Sequence, residues 1–216
     1  MQYKHIIWDW NGTLLDDRWL CVEAINETLS KRNMNTITDD EYLEIFCFPV
    51  KDYYEKLGFD FNKEPFSVSG TEFVDYYNSK FHEPRLQTGV KEALKSVLDA
   101  GLTQSILSAG KQEFLDQWIE YHELQNHFIR VLGIDNHYAS GKTEIGRKWI
   151  NELDHDPVDV LLIGDTIHDN EVAQAIGVDC ILVDHGHVSR QRLVSTSTPV
   201  CSGLDSVVKM VLTSKN

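Results

Sequence analysis

The sequence predicts an α/β protein: a Rossmann-like parallel sheet core with helices on both faces, plus a small all-helical cap domain. Three observations predict it. Apolar runs of strand length recur along the chain, separated by stretches with helical spacing, and that alternation makes a parallel sheet. Several of these runs are apolar at nearly every position, as strands buried on both faces are. One long stretch, about residues 16–84, breaks the alternation with helical patterns and no strand signal.

The first strand is predicted over residues 4–9, around Ile6-Ile7-Trp8. The insert follows. "DRWLCVEAINETLSKRN" sets Leu20, Ala24, Ile25 and Leu29 on one helical face. Thr38-Asp39-Asp40-Glu41 is a capping box that opens a second helix. "VKDYYEKLG" is a third, stopped by Gly58, and "GTEFVDYYNSKFH" a fourth. The α/β alternation then resumes. A helix at 89–100 carries Val90, Leu94, Val97 and Leu98, with Gly101 just past its end. Strand 2 is "LTQSIL", 102–107, and the next helix, 111–123, carries Phe114, Leu115, Trp118 and Ile119. Strand 3 is "FIRVL", 128–132, interrupted by Arg130. A helix at 143–153 carries Ile145, Trp149, Ile150 and Leu153. Strand 4, "DVLLI" at 159–163, precedes a helix at 169–176 for which Asp169 is the expected N-cap. Strand 5, "DCILV" at 179–183, and a helix at 204–213 complete the chain. The domain reading is therefore a core of residues 1–15 and 85–216 and a cap of 16–84.

Composition narrows the function. Of 216 residues, 42% are hydrophobic and 25% charged, an ordinary balance for a globular protein with one good core. No apolar run approaches membrane-spanning length, and the N-terminus shows no signal-peptide pattern, so a cytoplasmic location is expected. Cys21, Cys47, Cys180 and Cys201 form neither a CxxC pair nor a metal-ligand spacing with histidine, and read as reduced thiols. The formal charge of −14 repels nucleic acid and anionic membrane surfaces alike. It also repels phosphorylated small molecules, so a phosphate site in this chain needs a cation and local positive groups.

Ligands of open α/β sheets bind beyond the carboxyl ends of the strands. Strand 1 is followed by Asp9, Asn11, Gly12 and Thr13, strand 2 by Ser108 and Ala109 in "LSAGK". Lys142 in "ASGKT" follows strand 3, and "GDTIHD", with Asp165 and Asp169, follows strand 4. Each taken singly is ordinary: Asn-Gly is a common turn pair, and a lone serine or lysine is usually a loop or surface residue. Together, in order and at strand ends, they point to phosphate and metal chemistry.

The four stretches resemble the motifs of the haloacid dehalogenase superfamily, in its phosphoglycolate-phosphatase-like subgroup with a helical C1 cap. The first motif stands as "IIWDWNGT", the second as Ser108, the third as Lys142 and the fourth as "GDTIHD". The cap falls between the first and second motifs, where that subgroup places it. The resemblance implies a phosphatase acting on a small phosphorylated metabolite. Asp9 would be the nucleophile that becomes an aspartyl phosphate. Mg2+ would be held by Asp9, the Asn11 carbonyl, Asp165 and Asp169. Gly12, Thr13, Ser108, Ala109 and Lys142 would contact the phosphoryl group, with Lys142 supplying fixed charge and Asp169 organising Lys142 or the metal's waters. Lys51, Tyr53 and Tyr54 lie in "FPVKDYYEKLG", similar to the family's substrate-facing cap segment. His168 sits at a variable place in the fourth motif and reads as a surface residue. "DHGHVSRQR", 184–192, belongs to a region the family uses variably.

The departure is Asn11. The family has an aspartate there as general acid and base, and an asparagine can be neither. General acid–base help is worth about 10²–10⁴-fold, so a slow or altered enzyme is expected. Two alternatives stay open: C–P bond cleavage of the phosphonoacetaldehyde-hydrolase kind, with Lys51 as a Schiff base, or a non-catalytic member that binds a phosphorylated ligand or a protein. The substrate and the oligomeric state are not written in the sequence.

Overall fold

The computed structural model describes residues 3–134 and 141–213. Six parallel strands form one sheet in the order β5-β4-β1-β6-β7-β8. They are β1 (His5–Trp8), β4 (Thr103–Lys111), β5 (Arg130–Ile134), β6 (Val160–Gly164), β7 (Asp179–Val183) and β8 (Val200–Cys201). β1 lies at the centre, with Ile7 in register with Ser105 of β4 and Leu162 of β6. Its neighbours are buried on both faces, which is why β1, β6 and β7 read as apolar runs.

The helices of the core cover the sheet: α5 (Val90–Asp99), α6 (Gln112–Tyr121), α7 (Lys142–Glu152), α8 (Ile167–Ile176), α9 (Arg190–Val194) and α10 (Leu204–Thr213). One face holds the main apolar cluster, where Ile6, Trp8, Ile106, Leu161 and Ile163 meet Leu94, Trp118 and Val207. The other holds Ile7, Leu107 and Leu162 against Trp149, Ile150, Val172 and Ile176. Alternate residues of β1 thus serve opposite faces, the two-residue period of a strand.

The insert is helical: α1 (Arg18–Ser30), α2 (Asp39–Ile45), α3 (Val50–Lys56) and α4 (Phe66–Ser79). The Thr38–Glu41 capping box opens α2. Ile25, Leu29, Tyr42, Tyr53, Tyr54 and Phe59 make a separate cluster there. The base of the insert belongs to the main cluster, through Leu20, Ala24, Tyr77 and Phe81. Where the chain crosses into and out of it, β2 (Leu15–Asp16) pairs antiparallel with β3 (Arg85–Leu86).

Three expectations change in detail. β8 has only two residues and no apolar run, so periodicity misses it. Arg130 opens β5 rather than interrupting it, exposed at the sheet edge where a charge is tolerated. Asp169 is not the N-cap of α8. Thr166 is, and Asp169 is the third helical residue, completing a capping box with it.

Two glycines let the backbone approach this region closely. Gly12 has φ +75°, and a side chain there would overlap Asp165 and His187. A methyl group on Gly164 would overlap the Asp169 carboxyl. Gly164→Ala is therefore expected to lower stability by about 1–3 kcal/mol, the usual range for overpacking a filled interior. Urea unfolding followed by tryptophan fluorescence checks it, and an unchanged midpoint would show that the carboxyl can give way.

Candidate active site

Asp9 stands one residue beyond β1, its N–H bonded to the Ile163 carbonyl at 2.8 Å. Asp165 stands one residue beyond β6 and is fully buried. Adjacent parallel strands in register thus carry two carboxylates to the same edge of the sheet. The third, Asp169, comes from the first turn of α8. Oxygens of Asp9, Asp165 and Asp169 lie within 4.8 Å of one another, all buried.

Lys142, the first residue of α7 and 2% exposed, enters this cluster. Its Nζ donates to Asp9 Oδ1 and to Asp169 Oδ1, each at 2.5 Å. Asp169 Oδ2 accepts from the Thr166 N–H at 2.9 Å and hydroxyl at 2.7 Å. Capping α8 and holding Lys142 are thus one arrangement, with one Asp169 oxygen on each task.

Electrostatics follow from burial and neighbours. Burial raises the Asp9 carboxyl well above the carboxylate range, helped by Asp169 and Asp165 and opposed by Lys142. Burial raises Asp165 as well, against the pull of the His187 charge. Burial works against charge on Asp169 too, but Lys142 and Thr166 overcome it and hold that carboxyl low. Lys142 loses by burial and gains more from Asp169 and Asp9, so its ammonium stays charged. Three carboxylates around one ammonium leave excess negative charge in a dry place. The donors are all oxygen, which fits a hard divalent cation held by Asp9, Asp165 and Asp169.

Ser108 is buried on the neighbouring strand, its Oγ accepting from the Gly110 N–H at 2.9 Å. It lies within β4 rather than after it, where the register with β5 shifts between Leu107 and Lys111. Ala109, in the same irregular stretch, is half-buried. Ala139 and Ser140 of "ASGKT" lie outside the described residues.

Two phosphate contacts expected from sequence are otherwise engaged. The Gly12 N–H goes to Asp17 Oδ1 at 2.9 Å and to the Leu15 carbonyl at 3.0 Å. The Thr13 hydroxyl donates to Asp165 Oδ1 at 2.7 Å, so Thr13 braces a carboxylate instead. The cap residues also differ from expectation. Tyr53 and Tyr54 are each 2% exposed and pack among the cap's own aromatics, on the one face of α3 that is buried. Their rings belong to the cap's aromatic cluster. Lys51 is exposed, 3.9 Å from Glu55 and 5.5 Å from the Phe61 ring. Its contacts are with the cap itself. His168 is only partly exposed, bonded to Glu171 and stacked on Phe48 of the cap at 4.7 Å.

Sequence reasoning missed a second polar cluster. Asp17, buried at the start of α1, accepts from Asn11 Nδ2 at 2.8 Å and Tyr77 Oη at 2.7 Å on one oxygen. Its other oxygen meets the Gly12 N–H and His187 Nε2 at 3.2 Å. His187 Nδ1 faces Tyr42 Oη at 3.0 Å, and its N–H donates to Asp165 at 2.7 Å. Arg18 bonds the His185 and Gly186 carbonyls, and Arg192 those of Leu43 and Phe46. The segment after β7 therefore ties the cap to the loop that follows β1. No local signal marks this cluster, since Asp17 and His187 are 170 residues apart.

Burial disfavours the His187 cation, but Asp17 and then Asp165 and Asp9 raise its pKa from 6.5 to about 9. A folded value above the unfolded one adds stability that is complete below pH 6.5 and gone once pH passes about 9. At about 1.4 kcal/mol per unit the contribution is on the order of 3 kcal/mol. Urea midpoints measured from pH 6 to 10 are expected to fall across that window, and His187→Gln to flatten the fall. An equal slope in the variant would assign it to other groups.

The chain as a whole is similar to known proteins. Residues 6–183 match the family model described as haloacid dehalogenase-like hydrolase. The chain is 25% identical to a Pseudomonas aeruginosa 5'-nucleotidase, over 99% of this chain and 97% of that one. It is 25% identical to a phosphoglycolate phosphatase of Vibrio parahaemolyticus, over 98% and 97%. A solved Clostridium acetobutylicum protein, described as a predicted phosphatase, shares the fold with a TM-score of 0.84 at 21% identity, covering 99% of this chain and all of that one. With the carboxylates of the first and fourth motifs gathered around Lys142, and the match spanning the sheet that carries them, the chain belongs to the haloacid dehalogenase-like hydrolase family.

Proposed function

We propose that this protein is a Mg2+-dependent phosphatase that hydrolyses a small phosphorylated metabolite through an aspartyl phosphate on Asp9, and that it favours substrates whose leaving group needs no proton. The observation that carries the reading is Lys142, buried and bonded to both Asp9 and Asp169. A structural lysine has no reason to be drawn into a dry cluster of three carboxylates at the sheet's carboxyl edge. A phosphoryl site does, because it must offset the charge of an anionic substrate facing an anionic nucleophile.

In this reading Asp9 Oδ attacks phosphorus and the leaving group departs with the electrons of its P–O bond. Lys142 neutralises Asp9 and the incoming oxygens, and Asp169 keeps it in place. Ser108 holds a phosphoryl oxygen. Asp9 and Asp165, with Asp169 and the Asn11 carbonyl, would hold the cation, which when bound supplies positive charge to the phosphoryl oxygens. Thr13 keeps the Asp165 carboxylate turned inward. Burial of Asp9, at 6% exposure, calls for the cap to part from the core when substrate enters and to exclude water afterwards.

Asn11 sets the substrate class. Its Nδ2 is spent on Asp17 and Tyr77, so it offers no proton to a leaving oxygen. Acyl and aryl phosphates depart without one, and alkyl phosphates do not. Resemblance to nucleotidases and phosphoglycolate phosphatases supports the reaction type and leaves the substrate to this site.

With Mg2+ present, acetyl phosphate and p-nitrophenyl phosphate are expected to turn over about 10²–10⁴ times faster than simple alkyl phosphates. Asp9→Asn and removal of metal by a chelator should each abolish turnover. Acid quenching during turnover should trap phosphate on Asp9, found by peptide mass spectrometry. Loss of the phosphoenzyme with turnover retained would sink the mechanism.

A further inference from the structure

Asn11 and Asp17 meet at 2.8 Å inside the protein, six residues apart across the turn that leads into the cap. The direction of this bond is fixed by chemistry. An ionised carboxylate only accepts hydrogen bonds, and Asp17 is already the acceptor for Gly12, Tyr77 and His187. The amide of Asn11 must therefore turn Nδ2 to Asp17, and Tyr77 Oη is 3.2 Å away on the same side. Its Oδ1 is left on the opposite side, toward Ser108. A Cβ placed on Gly110 would stand 3.4 Å from Asn11 Oδ1 and 3.2 Å from Ser108 Oγ, so the two oxygens share one neighbourhood.

We propose that Asp17 is a positioning residue for the second step of the reaction: it holds Asn11 so that position 11 presents an oxygen acceptor to the phosphoryl site and never a donor. The inference rests on the phosphatase reading above. In that second step a water oxygen bonds to phosphorus, and the P–O bond to Asp9 breaks with its electrons returning to the carboxylate. Asn11 Oδ1 accepts a hydrogen bond from the water and aims it without taking its proton. The proton passes to a phosphoryl oxygen, and the product leaves as dihydrogen phosphate. No base is consumed, and atoms and charge balance.

The same contact explains why position 11 is an amide. An aspartate there would set carboxylate against carboxylate at hydrogen-bond distance, with both oxygens of Asp17 already committed. The residues at 11 and 17 are thus one choice rather than two.

The experiment compares wild type, Asp17→Asn, Asn11→Asp and the double variant, each with Mg2+, acetyl phosphate and a series of aryl phosphates of graded leaving-group basicity. Circular-dichroism melts run alongside. Asp17→Asn places a donor opposite Asn11, turns its amide round, and is expected to lower kcat about tenfold with little change in KM. Asn11→Asp alone should gain little. The double variant, whose position-17 amide can donate to the new carboxyl, should exceed it by about tenfold and show a flatter dependence on the leaving group. Tyr77→Phe removes the second partner more gently and should lower kcat about threefold with a nearly unchanged melt, which keeps the test alive if Asp17→Asn does not fold. Independent, multiplying effects at 11 and 17, or an Asp17→Asn protein with only its melting temperature changed, overturn the proposal while leaving the phosphatase reading intact. Absence of turnover in all four proteins overturns both.

Discussion

The site depends on a single buried ammonium. Lys142 is the one described cation in contact with Asp9 and Asp169, and without it three carboxylates would crowd a region almost closed to water. Breaking a buried ion pair by removing one partner is far more damaging than never having built it, because the remaining charge is stranded. The geometry around the lysine reads as insurance against that. α7 begins at Lys142, so its backbone is fixed by the helix. Asp169 is fixed by the capping box with Thr166. Asp9 is fixed by the central strand of the sheet. Local folding rules thus hold each partner before the charges meet.

Much of this was legible in the sequence. The strands announce themselves as apolar runs, and the rule that ligands sit at their carboxyl ends selects Asp9, Ser108, Lys142, Asp165 and Asp169 from a chain rich in acids. The start of α8 was legible only in part, since Asp169 is the expected N-cap from sequence whereas Thr166 holds that place and Asp169 completes the box. What escaped depends on contacts that no short window contains. His187 meets Asp17 only because β7 and the cap base converge, and Tyr77 joins them from the last turn of α4. Tyr53 and Tyr54 were singled out by resemblance to a family segment, and their burial was not legible because it depends on aromatic rings from elsewhere in the insert.

The junction around residue 11 is consequently polar. Asn11, Asp17, Tyr77, Tyr42 and His187 form one connected set, and each member comes from a different element or turn. Such sets are unforgiving, since a polar group left unpaired in a dry setting is penalised by more than the bond itself contributes. That penalty links the identity of residue 11 to the cap, although residue 11 lies in the core's own catalytic loop.

The cap is fastened in two unlike ways. At its base Phe81 stacks on Trp118 at 4.6 Å, and Tyr77, Leu20 and Ala24 merge into the main apolar cluster. Along its rim it is fastened by polar contacts: Arg192 to the Leu43 and Phe46 carbonyls, Arg18 to Gly186, and Tyr42 to His187. Water competes for the second kind of contact and reinforces the first. The rim is therefore the part solvent can loosen, while the apolar root keeps the cap anchored to the core.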